Sequence, residues 1–334
     1  MSRSLQALFG AIGGALAFGF GASVCAAADA DFYKGQTLNY VVATSPGGGY
    51  DRYGRLVAEH MQKEMPGVTI VVRNMPGAAH IIGANFVYNS KPDGLTIGTF
   101  NTGLTLEQVT KAEGIKFDLA KMTWIGKAAS DPRMLIVSSF TKDINTIEDL
   151  RKPGTPIKVA VNGTDDPEVK ILEKAMKLNV RLLAGYNGND DQMAMRRGEI
   201  DANFASYSAF RAFVENGYGR FLFAVGGTVD GVPQLRDLVK DQNAETRALL
   251  NLLQAQGDIA RLTAGPPGIP DGRLEVLRAA YKKTLQDPEF QEKAKQGKMP
   301  LDPAFGEDVE RMVKEAMALP PETSATLTKL VRNK

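Results

Sequence analysis

The chain has 334 residues, 43% of them apolar and 23% charged, with 40 Lys and Arg against 38 Asp and Glu for a formal charge of +2. So even a balance gives no electrostatic footprint for nucleic acid or an anionic membrane. One cysteine, Cys25, and two histidines far apart in sequence exclude a disulfide framework, a thiolate zinc site and a paired-histidine zinc motif.

Residues 1–28 carry one charge, Arg3, then an apolar run from Leu5 to Val24 and an alanine-rich end with small residues at Ala26 and Ala28, or Ala28 and Ala30. This pattern predicts a secretory signal peptide cleaved near Ala28. The competing readings are a membrane anchor of similar length and a lipid-modified Cys25, for which Val24 is a poor neighbour. Cleavage leaves 39 cations, 38 anions and no cysteine, as suits an oxidising compartment. The remaining length fits about two domains.

The mature part opens with TLNYVVATS (37–45), a buried strand by its β-branched, apolar content. From Asp51 the spacing turns helical, with Tyr53, Leu56, Val57, His60 and Met61 on one face. MPGVTIVVRN reads as a turn and strand, MPGAAHIIGANFVYNS as a loop and helix, and LTIGTFN as a third strand. A second unit starts near MLIVSS (134–139), with a core strand IKVAV (157–161), the loop NGTDDP and the helix EVKILEKAMKL. VRLLAGYNG then gives a strand and loop, DQMAMRRGEI a helix, DANFASYSA a strand entering a loop, and RFLFAVGGT the last strand of the unit. The C-terminal part is mostly helical, in DGRLEVLRAAYKKTLQD, PEFQEKAKQG and FGEDVERMVKEAMAL. Alternating strands and helices predict an α/β architecture. The two units share one plan of strand, small polar loop and amphipathic helix, so two lobes can face each other across a cleft at their strand ends.

SPGGGYD (45–51) is the most informative loop. Glycine admits close approach of a ligand to the backbone, and a helix start offers free N–H groups to an anion. The bland alternative is a tight turn. Gly49 is followed by Tyr50 and Asp51 instead of Lys-Ser/Thr, and position 52 is Arg where a dinucleotide fingerprint needs Gly, so neither nucleotide motif is present. Asp51 suits the first helical turn. A carboxylate guest fits best. Against an enzyme, there is no Gly-x-Ser-x-Gly elbow; His60 lies on an apolar helix face, while His80 is free to touch the cleft. The Asp pairs in GTDDPE and NGNDDQ lack calcium-loop spacing and read as a cap and a polar turn. Trp124 reads as core. Donor-rich loops supply Thr44 and Ser45; Asn74 with the N–H groups of Gly77, Ala78 and Ala79; Asn101 and Thr102; Asn162 and Thr164; and Ser206, Tyr207 and Ser208.

FYKGQTLNYVVATSPGGGYDRYGRLVAEHM followed by VVRNMPGAAHIIGANFVYNSKPDGLTIGTFNTG resembles the periplasmic solute-binding proteins of tripartite tricarboxylate transporters, the Bug family. MTWIGKAASDPRMLIVSS, LLAGYNGNDDQMAMRRGEIDANFAS and PPGIPDGRLEVLRAAYKKTLQDPEF continue the likeness in the same order. The resemblance implies a two-lobe Venus-flytrap fold of type II character, with the ligand cleft between lobes and the chain crossing twice. Lobe 1 is then 29–131 plus 228–334, and lobe 2 is 132–227. It implies an organic acid as ligand, no catalysis and no cofactor or metal. It also implies a small and a large integral membrane protein as partners, a monomeric receptor and a periplasmic location. By match, Pro46, Gly47, Gly48, Tyr50 and Asp51 fall in the first pincer loop, and Asn74, Gly77, Ala78 and Ala79 in the second.

Three departures bear on specificity. GAAH puts His80 where the family has a small residue, VNGTDDPEVK replaces a Gly/Ser-rich loop, and NFAS puts Ala205 where the family has an acid. The candidate contacts are therefore Thr44, Ser45, Pro46, Gly47, Gly48, Gly49, Tyr50 and Asp51; Asn74, Gly77, Ala78, Ala79 and His80; Asn101 and Thr102; and, across the cleft, Asn162, Gly163, Thr164, Asp165, Ser206 and Tyr207. Asp165 and Asp166 either stand in for the missing acid or cap a helix. The expected function is carboxylate capture for a transporter. The rivals are a ligand sensor for a membrane receptor and an exported enzyme using His80.

Overall fold

Short apolar runs, buried on both faces, form most of the strands. The computed structural model describes residues 29–332 apart from Thr102, 162–166, 187–189 and 240–242. In its first part come β1 (Thr37–Val42), α1 (Gly49–Glu64), β2 (Thr69–Asn74), α2 (Ile81–Tyr88), β3 (Thr96–Phe100), α3 (Leu104–Val109) and β4 (Thr123–Lys127). The second part holds β5 (Arg133–Ser138), β6 (Ile157–Val161), α4 (Pro167–Met176), β7 (Val180–Ala184), α5 (Asp190–Arg196), β8 (Ala202–Ser206), α6 (Tyr207–Glu215) and β9 (Gly219–Val225). After it come α7 (Leu235–Leu238), α8 (Ala244–Asp258), β10 (Leu262–Gly265), α9 (Asp271–Gln286), α10 (Pro288–Gln296), β11 (Ala304–Phe305), α11 (Gly306–Met317) and α12 (Pro321–Arg332).

The strands form two sheets, ordered β11-β4-β10-β3-β1-β2 and β7-β6-β8-β5-β9. In the first, β2, β1 and β3 are parallel, and β10 runs antiparallel to β3 and β4. In the second, β7, β6 and β8 are parallel, and β5 runs antiparallel to β8 and β9. Each parallel trio therefore gathers the loops after its strands at one edge, where ligands collect in open α/β sheets.

Both faces of each sheet are covered. In β1, Leu38, Tyr40 and Val42 enter one core while Val41 enters the other, as a strand buried on both sides requires. Leu135 and Val137 against Met134 and Ile136 do the same in β5. The predicted α1 face of Tyr53, Leu56, Val57, His60 and Met61 is buried. Trp124 is core, its indole N–H donating to the Leu119 carbonyl at 3.1 Å.

The chain leaves the first sheet between β4 and β5 and returns between β9 and β10. Two helices in the stretch 228–334 pack on the second sheet's side: Leu249, Leu250 and Leu253 of α8 and Leu327 of α12 join Ile171 and Leu172 of α4. The sequence reading named no element at β4, α8, β10 or α12; β10, four residues long, completes the first sheet from across the molecule, and SYSA begins α6 at Tyr207 instead of continuing as loop.

Candidate functional site

The glycine loop leaves β1 and turns into α1 without a side-chain cap. Gly47 has φ +87°, where only glycine is unstrained, and Gly48 is extended at φ −75° and ψ 175°. A Cβ on Gly48 would meet nothing nearer than the Ser45 carbonyl at 3.9 Å, so that backbone is open to a guest. The first N–H groups of α1 have no i−4 carbonyl to bond and carry the positive end of a helix of 16 residues.

Asp51 does not face a guest. Its buried carboxylate accepts from the Gly47 N–H at 2.9 Å, Arg55 Nε at 3.0 Å and Asn74 Nδ2 at 2.8 Å. Burial pushes its pKa up, and the three donors together outweigh it and hold the group below the usual carboxylate range. Asn74 Nδ2 also donates to the Thr44 carbonyl at 3.0 Å, while its Oδ1 accepts from Arg55 at 2.8 Å. Asp51 and Asn74 thus lock the first two loops to one another, a positioning role.

The second loop is conformationally unusual. Gly77 has φ 122°, and Ala78 and His80 are left-handed at φ 46° and 76°. His80 Nδ1 lies 2.7 Å from the Ala43 carbonyl, so Nδ1 carries the proton in the neutral ring and Nε2 keeps its lone pair. Burial lowers the His80 pKa, and the Arg133 charge lowers it further. In the third loop Asn101 Oδ1 accepts from the Gly103 N–H at 2.7 Å, which leaves its amide as donor.

Arg133, Tyr186, Asp191, Asn203 and Ala205 surround a small polar recess of about 70 Å³ in the second half. Arg133, the first residue of β5, donates to Glu168 and to the Phe204 carbonyl, and its guanidinium lies 5.1 Å from the Phe204 ring centre. Asn203 Nδ2 donates to Asp191 at 2.6 Å, and burial raises the Asp191 pKa. Sequence reasoning missed Arg133, Asp191 and Asn203 as a group. The signal was a cation opening an otherwise apolar strand in DPRMLIVSS.

The predicted candidates scatter. Thr44, Asp51 and Asn74 come together, with Ser45 to Gly48 exposed beside them. Gly49 abuts the other half, since a Cβ there would stand 2.8 Å from Arg261 Nη2 and 3.1 Å from Ser208 Oγ. The Tyr50 ring stacks on Arg261 at 3.8 Å. Ser206 precedes α6, and the Tyr207 N–H donates to the Pro132 carbonyl at 2.8 Å. Tyr207 also lines a larger cavity of about 820 Å³ with Lys127, Ser130, Thr228 and Asp302, which shares no residue with the glycine loop. Its Lys127 donates to Ser130, the Asp258 carbonyl and Asp302. Thr102, Asn162, Gly163, Thr164, Asp165 and Asp166 lie outside the described residues.

The sequence profile of the tripartite tricarboxylate transporter family receptor matches residues 54–319. A UPF0065 protein from the tcbD-tcbE intergenic region of Pseudomonas sp. (strain P51) is 25% identical over 273 residues, covering 80% of this chain and 79% of that protein. Among solved structures, the periplasmic binding protein BugD superposes with a TM-score of 0.70 at 19% identity, over 89% of this chain and 98% of that one. The R. palustris protein Rpa4515, solved with adipate, gives 0.70 at 17% identity, over 88% and 97%. The likeness extends to the two-lobe α/β fold.

Proposed function

Because the chain belongs to the tripartite tricarboxylate transporter receptor family, whose members are periplasmic solute-binding proteins and not enzymes, we propose that it captures a small organic dicarboxylate between its lobes and delivers it to a membrane transporter. The observation that carries this reading is the pairing of two unlike anion holders. One is the glycine loop with the free N–H groups at the start of α1, and the other a recess on the facing lobe lined by Arg133, whose guanidinium also bonds Glu168 and the Phe204 carbonyl. One carboxylate would take the N–H groups of the loop. The second would reach Arg133 and the amide of Asn203. The adipate held by Rpa4515 is a ligand of this type and supports the reading.

His80, held on the Ala43 carbonyl just before the glycine loop, would offer its Nε2 in the neutral ring as an acceptor for a hydroxyl or a protonated acid. Ala205 lines the recess where the family places an acid, which disfavours a ligand amine there and supports a plain acid over an amino acid. We further propose export with cleavage near Ala28, a monomeric receptor, and a small and a large integral membrane protein as its partners. No helix among the described residues is long and apolar enough to cross a membrane.

Calorimetric titration of dicarboxylates, and of monocarboxylates of equal length, into wild type and Arg133→Gln tests the assignment. The variant should lose at least tenfold in dicarboxylate affinity and little for the monocarboxylate. Equal loss for both classes, or none, removes Arg133 from the site.

A further inference from the structure

Far from the cleft, α1 meets the start of α10 through a histidine whose surroundings are unusual for a core residue. His60 is 1% exposed. Its Nδ1 is engaged by Asp287 Oδ2 at 2.8 Å, across 227 positions of sequence. With a carboxylate there, Nδ1 carries the proton, and in the neutral ring Nε2 is left as a lone pair. That Nε2 is buried and has no hydrogen-bond partner. A buried acceptor left unsatisfied is costly and calls for an explanation.

Two carboxylates lie near the ring. Glu59 Oε1 is 3.9 Å away, too far for a hydrogen bond, and one oxygen each from Glu59 and Glu289 lies with a His60 ring nitrogen inside a 4.8 Å circle. We propose that Glu59, His60 and Glu289 form a binding site for a first-row divalent cation of the zinc type, bridging α1 to α10. One imidazole and two carboxylates are a donor set such ions accept, with a fourth position left for water. A tetrahedral zinc site holds its donor atoms about 3.4 Å apart, given metal–ligand lengths of about 2.0–2.2 Å. Glu59 and Glu289 are 53% and 55% exposed at their side chains, so both can swing in to close the gap.

Asp287 supplies what a metal-bound histidine needs behind it. Its acceptance of the Nδ1 proton fixes the tautomer and ring orientation that aim Nε2 outward. Phe290 packs edge-on against the imidazole at 5.5 Å and holds it in place. Two lysines compete for the acids: Lys293 Nζ lies 2.7 Å from Glu59 and 3.1 Å from Glu289, and Lys63 Nζ lies 2.8 Å from Glu289. Exposed pairs of this kind are weak, so an ion that also gains the imidazole can displace them. An ion here would join the helix that follows the glycine loop to the C-terminal helices of the same lobe.

The test is a zinc titration of the purified protein in carboxylate-free buffer, followed by calorimetry and by melting temperature. Wild type should bind one equivalent and melt higher with zinc. Glu59→Gln and Glu289→Gln change only exposed side chains, so they should fold normally; each should weaken zinc at least tenfold and lose the shift. Lys293→Met removes a competing cation and should tighten zinc severalfold. Absence of zinc binding to wild type would overturn the proposal. So would zinc bound equally by both Gln variants, which would place the ion elsewhere, His80 being the only other imidazole in the chain.

Discussion

Arg261 and Asp131 form a buried ion pair where the chain passes between the two sheets, with side chains 2% and 6% exposed. Asp131 lies in the outgoing segment after β4, and Arg261 immediately precedes β10 on the way back. The same carboxylate accepts from the Ser208 backbone N–H at 3.1 Å and its hydroxyl at 2.9 Å, at the start of α6. Arg261 Nη2 also donates to Ser208 Oγ at 2.8 Å, and its guanidinium lies 3.8 Å from the centre of the Tyr50 ring. One pair therefore ties both crossings, the second lobe and the helix that follows the glycine loop.

Breaking this pair from one side leaves a buried charge without its partner. Arg261→Ala should destabilise by about 3–5 kcal/mol, measured by urea unfolding. It also frees the Tyr50 ring beside the glycine loop. A loss below about 1 kcal/mol would mean that water replaces the guanidinium, and that the hinge is looser than the burial of both side chains implies.

Adjacent glycines should behave differently. Gly48 faces open space, so Gly48→Leu should leave unfolding within about 0.5 kcal/mol of wild type while blocking approach of a guest to the loop. A Cβ on Gly49 runs into Arg261 Nη2 and Ser208 Oγ, so Gly49→Ala should disturb the hinge and lower stability by about 1–3 kcal/mol. Unfolding curves and ligand affinity, measured side by side, separate the two. Unchanged affinity in Gly48→Leu would reduce the glycines to turn formers.

The pH dependence of stability should carry the mark of His80. Its folded pKa is lowered, chiefly by burial, so below an unfolded value of about 6.5 the unfolded chain binds the proton more readily. Stability is then full above that pH and falls as pH drops through the folded pKa. His80→Asn keeps a residue tolerant of the left-handed backbone and removes the titration. The difference between wild type and variant should grow from pH 7 toward pH 5. A flat difference would mean that the ring is solvated.

Much of the architecture was legible in the sequence because it follows from local pattern. β1, β2, β3, β5 and β6 declare themselves by apolar runs, and α1 by its spaced apolar face. β10 was not legible, since four residues carry little periodicity and its place between β3 and β4 is set by tertiary pairing. The start of α6 was hidden because SYSA has turn-like content, and its first N–H groups are taken by partners distant in sequence, Tyr207 by the Pro132 carbonyl and Ser208 by Asp131. At the site, the glycine loop and His80 were visible as chemistry out of place. Arg133, Asp191 and Asn203 were not, because each looks ordinary in its own strand or helix and only the sheet order brings them to one recess. Likewise His60 read as core, which it is; its ring nitrogens acquire meaning only when α10 brings Asp287 and Glu289 alongside.

The central claim is that the cleft takes a small dicarboxylate, and a thermal-shift screen addresses it most directly. The purified protein would be melted with di-, tri-, mono- and aromatic carboxylates, sugars and cationic amines in parallel. A ligand present at a hundred times its dissociation constant should add about 2.7 kcal/mol of stability. The account expects that gain from one or a few dicarboxylates and expects it to vanish in Gly48→Leu. A melting temperature raised by sugars or amines while every organic acid leaves it unchanged would contradict it.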